Sequence, residues 1–122
     1  MRRVKNIFII ETSDNLAVLE EELKNPNTIS SKAVEMVIHT MHNIKGTAPM
    51  VGYNILPEIA IPLEQAYKEV KNNKLVVSSN MIENTKSAVS IIQRLLATEE
   101  AHSPNSDDEQ KILIEYFNTI TG

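Results

Sequence analysis

The sequence predicts an all-α protein, an antiparallel up-down four-helix bundle with a short additional C-terminal helix. Three observations predict it. Apolar residues recur every three or four positions along four long segments. The segments are divided by short polar runs holding Pro, Asn or Ser, and short connections join antiparallel neighbours. Finally, the 122 residues include only three glycines and no tryptophan, a composition that leans towards helix.

The first helix is expected from about Val4 to Leu23, with Phe8, Thr12, Leu16, Leu19 and Leu23 on one stripe. Asn25-Pro26-Asn27 ends it, because Pro cannot continue the backbone ladder. The second is expected from Ser31 to about Pro49, with Ser30 or Ser31 as N-cap. Val34, Val37, Ile38, Met41, Ile44 and Ala48 share its apolar face. The third is expected from Asn54 to Asn72, capped by Asn54 and with Pro57 in its first turn. Leu56, Ile59, Ala60, Leu63, Ala66, Tyr67 and Val70 point inward, and Pro62, inside the pattern, is expected to bend the helix. The fourth is expected from Ser79 to Ala97, with Ile82, Thr85, Val89, Ile92 and Leu96 on one side. Lys74-Leu75-Val76-Val77 is too short to build a sheet and is expected to enter this helix. Ser106-Asp107-Asp108-Glu109 fits a capping box before a fifth helix with Ile112, Leu113, Tyr116, Phe117 and Ile120 apolar. The expected division is therefore 1–97 for the bundle, 98–106 for a polar linker, and 107–120 for the last helix. That helix either packs on the bundle or leads to a connection.

Bulk properties exclude several classes. A chain of this length suits one domain with a real core. It has no cysteine, so neither disulfides nor thiol chemistry hold or drive it. The net charge is −4 and the lysines are dispersed, which argues against a nucleic-acid partner. No apolar run spans a membrane, and no signal-peptide core follows Met1-Arg2-Arg3. A cytoplasmic monomer is expected.

One constellation carries chemistry. His39-Thr40-Met41-His42-Asn43-Ile44-Lys45-Gly46-Thr47-Ala48 lies on the second helix. At about 100° per residue, His42 falls roughly 100–120° from the centre of the apolar stripe, at its edge. Lys45 and Gly46 lie one turn later, and His39 one turn earlier. A phosphoryl-carrying imidazole must be neutral to attack and exposed to its donor. A nearby cation stabilises the charge on the transferring oxygens. The surface beside it must be low, so that another protein can close over the ring. Lys45 supplies the cation and Gly46 the clearance. A glycine inside a helix costs about 1 kcal/mol relative to Ala, so its presence calls for a reason.

His42-Asn43-Ile44-Lys45-Gly46, followed by Gly52, resembles the H-x-x-K-G…G signature of histidine-containing phosphotransfer (HPt) domains. The likeness is greatest to the N-terminal phosphotransfer domain of chemotaxis histidine kinases. Phe8 to Leu16 is similar to its opening helix, and Gly52 to Glu64, ending in Leu63-Glu64, to its third. The resemblance covers roughly residues 4 to 97. It implies that His42 is phosphorylated on Nε2, that Lys45 neighbours the phosphoryl group, and that Gly46 permits receiver docking. It also implies that Glu64 hydrogen-bonds the other imidazole nitrogen and fixes the tautomer. This chain departs from the pattern at Ile61, where such kinases often carry a second histidine.

Blander readings exist for each residue. His39 lacks a lysine three positions on and reads as a polar residue on the rim. Glu35, His39 and His42 share a helix, but no paired Glu-x-x-His and no H-E-x-x-H pattern occurs, so no metal is expected. Gly46 alone could serve close helix packing, and Glu64 could simply pair with Lys68 at i,i+4. Met36, Met41, Met50 and Met81 could soften a binding surface, but at these spacings most read as core.

The expected function is a phosphocarrier in a two-component phosphorelay, with a histidine kinase and a response-regulator receiver domain as partners. No cofactor is expected. The chain carries no Gly-rich nucleotide loop, so it is not expected to be an enzyme by itself. The docking face is expected to be Ile38, His39, Ala48, Pro49 and Met50 beside Gly46. The alternatives are a helical adaptor without transfer activity, or the front end of a chemotaxis-type kinase.

Overall fold

The apolar stripes become helices in a computed structural model that describes residues 2–25, 28–97 and 107–121. Among these residues the elements are all helical: α1 (Arg2–Glu22), α2 (Ser31–Thr47), α3 (Leu56–Lys71), α4 (Ser79–Ala97) and α5 (Asp107–Ile120). Pro26, Asn27, the expected linker 98–106 and the capping serine Ser106 lie outside the described residues. None of the described helices is long and apolar enough to cross a membrane.

The stripe Phe8, Thr12, Leu16 and Leu19 of α1, with Leu23 just past its end, is buried as its spacing requires. Ser30 caps α2: its Oγ accepts the Ala33 backbone N–H at 3.0 Å, satisfying one of the orphan donors of the first turn. Val37, Met41 and Ile44 on α2 have no exposed surface.

The second helix does not run regularly to Pro49. It tightens into a 3-10 turn over Ala48–Val51, which Gly52 closes at φ 96°. That left-handed backbone is open to glycine and strained for most other residues. The Tyr53 N–H then donates to the Ala48 carbonyl at 2.9 Å, and Tyr53 is buried.

Two local expectations need correction. Ile55, not Asn54, occupies the N-cap of α3, and no side chain caps it. The proline early in the helix removes one donor that a cap would otherwise serve. Lys74-Leu75-Val76-Val77 stays in the connection and does not enter α4. Asn73 at φ 62° ends α3 in a Schellman arrangement: the Lys74 N–H reaches the Glu69 carbonyl at 2.8 Å and the Asn73 N–H that of Val70 at 3.1 Å. The next helix starts only after Ser78, whose Oγ accepts the Met81 N–H at 3.1 Å. Leu75 and Val77 pack on the core while Val76 is exposed.

The pair α2 and α3 is the most extensive helix contact. These two run in opposite senses, since Glu35 near the start of α2 meets Lys71 at the end of α3, and Lys45 meets Glu64. Pro62 is buried inside α3, which continues through it. From α3 the Tyr67 hydroxyl reaches Thr85 Oγ1 on α4 at 2.6 Å. Thr85 gives its own hydrogen to the Met81 carbonyl, so Tyr67 is the donor. Burial pushes the Tyr67 phenol up to about 12. The fifth helix lies against α3 and α4 and adds Leu113 and Phe117 to the core, whereas Ile112 is exposed.

Gly52→Ala is expected to destabilise the protein by about 1–2 kcal/mol, because the cost is backbone strain rather than a clash. A Cβ there meets no atom within 4 Å. Urea denaturation monitored by circular dichroism measures it; an unchanged midpoint would show that the turn relaxes freely.

Candidate functional site

His42 follows the fully buried Met41, and that one-residue step turns it out of the core stripe. Its side chain is 63% exposed, while Glu64, facing it from α3, is only 4% exposed. Glu64 follows the fully buried Leu63, so the core fixes both helices beside the site.

Three donors converge on this carboxylate. His42 Nδ1 lies 2.9 Å from Oε2 and Lys45 Nζ 2.8 Å from Oε1. Lys68 Nζ lies 3.3 Å from Oε2. Burial pushes the Glu64 carboxyl up, but the bonds from Lys45, His42 and Lys68 together outweigh it and hold the group below its usual value of 4.5. Glu64 is therefore ionised near neutrality and can only accept. In the neutral ring Nδ1 of His42 must carry the proton, which leaves Nε2 as the lone-pair nitrogen. Such an arrangement can orient an exposed imidazole for nucleophilic chemistry, with two ammonium groups on the same carboxylate.

Gly46 sits one turn beyond His42. A Cβ built there meets nothing within 4 Å. Close packing inside the molecule therefore does not explain this helical glycine. Beyond it, Pro49 is exposed and Met50 is 67% exposed. Ile38 is half-buried and packs on the core cluster.

Ala48, expected on the docking face, is fully buried. It continues the stripe of Val37, Met41 and Ile44, and the core claims it. His39 is exposed, and its Nε2 accepts the Asn43 amide at 3.2 Å, so that nitrogen is occupied on its own helix. Glu35 pairs with Lys71 at 2.9 Å. No cluster able to hold a metal occurs among the described residues.

The member that sequence reasoning left outside the site is Lys68. Its i,i+4 relation to Glu64 was legible, but only as a bland alternative to the role of Glu64 at His42. In the structure Glu64 makes that pair and the His42 bond with the same oxygen.

The depressed carboxyl sets a pH dependence. Because the native group releases its proton more readily than the unfolded one, its stabilisation is complete above the unfolded value. It is lost as pH falls through the native value. Glu64→Gln is expected to cost about 2 kcal/mol at pH 7, the scale of hydrogen bonds to a charged group. The gap between native and variant should shrink as pH is lowered from 5 towards 3, by urea titration at each pH; a gap that widens contradicts the assignment.

The family model described as the Hpt domain matches residues 3–102. Relatives include the chemotaxis protein CheA of Listeria monocytogenes serovar 1/2a and the chemotaxis protein CheA of Listeria innocua serovar 6a. Each is 26% identical over an alignment of 82 residues that covers 64% of this chain. The chain spans only 13% of the length of these curated relatives. No solved structure matches it. With the matched stretch running from the start of α1 past the end of α4, the chain belongs to the Hpt domain family.

Proposed function

We propose that the chain is a phosphoryl carrier in a two-component relay, accepting a phosphoryl group on His42 Nε2 and passing it to a receiver-domain aspartate. One observation carries this reading: an exposed imidazole whose inner nitrogen is bonded to a buried, ionised carboxylate. Membership of the Hpt family supports it. In the loading step the Nε2 lone pair forms an N–P bond while the donor's bond to phosphorus breaks. The ring keeps its Nδ1 proton and gains positive charge, which the Glu64 carboxylate opposite compensates. In the return step the aspartate oxygen attacks phosphorus, the N–P bond breaks, and Nε2 recovers its lone pair.

The chain itself supplies the nucleophile and a docking surface, and a separate histidine kinase and receiver supply the rest. On this reading it is no enzyme alone, works in the cytoplasm, and folds α1 to α4 as an antiparallel up-down bundle with α5 added. Gly46, with exposed Pro49 and Met50, forms the low apolar ground on which the receiver settles, with Ile38 and His39 at its edge.

Two experiments test the proposal. Incubation with a phosphorylated receiver domain or a kinase should give an acid-labile label that His42→Gln abolishes; a label surviving that change rejects His42 as acceptor. Gly46→Ala should stabilise the fold by about 0.5–1 kcal/mol, since the site has room for the methyl and Ala favours helix. Gly46→Phe should slow transfer to a receiver far more than loading from a small phosphodonor. Equal slowing of both would remove Gly46 from the docking surface.

A further inference from the structure

The site holds one more cation than its carboxylate neutralises. Lys45 Nζ already pairs with Oε1 at 2.8 Å. Lys68 Nζ shares Oε2 with His42 Nδ1, at the longer distance of 3.3 Å. Its side chain is 47% exposed against 37% for Lys45, so it is the less confined of the two ammonium groups. The lysines also reach the seam from opposite ends. Lys45 comes from one turn towards the end of α2, and Lys68 from one turn towards the end of α3, which runs the other way.

Resting on the phosphocarrier reading above, we propose that Lys68 is a positioning residue for the phosphorylated state, moving from Glu64 Oε2 to become the counter-ion of the phosphoryl group on His42. Phosphorylation brings between one and two negative charges to a half-exposed ring. Lys45 is engaged through the shorter bond, whereas Lys68 can leave at little loss. When it does, Oε1 retains Lys45 and Oε2 retains the His42 Nδ1–H, so the buried carboxylate is not left bare. The tautomer stays fixed, and the spare cation follows the charge.

Phosphoramidate loading of the whole chain tests this without a partner protein. Nε2 forms the N–P bond as the donor's P–N bond breaks, and ammonia leaves. Wild type, Lys68→Met and Lys68→Arg are then compared by 31P NMR across pH. All three retain Lys45 and Glu64, and Met and Arg are helix formers as good as Lys. The phosphoryl ionisation midpoint of Lys68→Met should rise by about half a unit, a threefold change. Lys68→Arg should titrate like wild type. Loading of Lys68→Met with an unmoved midpoint overturns the role of Lys68 alone. Failure of wild type to load on His42 overturns the carrier reading together with it.

Discussion

A carboxylate with almost no exposed surface must be surrounded by donors, and Glu64 is the constraint on which the rest of this molecule's chemistry depends. Its burial would favour the neutral acid. Two ammonium groups and an imidazole N–H reverse that preference and keep it charged. Being charged, it accepts from His42 and dictates which ring nitrogen holds the proton. On the carrier reading, the nucleophile is thus defined from beneath by a group on the far side of the ring from the phosphoryl donor.

The fold serves this bond by holding two helices in fixed register. Met41 and Leu63, both fully buried, lock the adjacent positions His42 and Glu64. Glu35 and Lys71 bind the same seam nearer its other end. The 3-10 turn and Gly52 then reverse the chain so that α3 returns along α2. Gly52 acts through its backbone conformation. Gly46 has an ordinary helical setting with open space around it, so no internal contact requires it.

Much of this was legible because helical periodicity is strong. The buried stripes of α1 and α4 and the edge position of His42 follow from spacing alone. The pairing of Glu64 with His42 came from family resemblance, since periodicity says nothing about which helices face each other. Ala48 was misplaced as an exposed docking residue although its spacing put it on the core stripe, and the stripe prevailed. Asn54 and the Lys74 to Val77 stretch were misread because turn geometry at Ile55 and Asn73 depends on backbone bonds that composition does not encode. Lys68 was seen only as an i,i+4 partner of Glu64; its share in the site needed the third dimension.

The most direct test of the central claim is the tautomer of the neutral His42 ring, read from long-range 1H–15N correlations at a pH high enough to remove the imidazolium form. A Glu64-bound ring must show Nδ1 carrying the proton and Nε2 bare. A ring protonated at Nε2 with Nδ1 bare would mean that Glu64 does not orient it, and the nucleophile assigned to the exposed nitrogen would be lost.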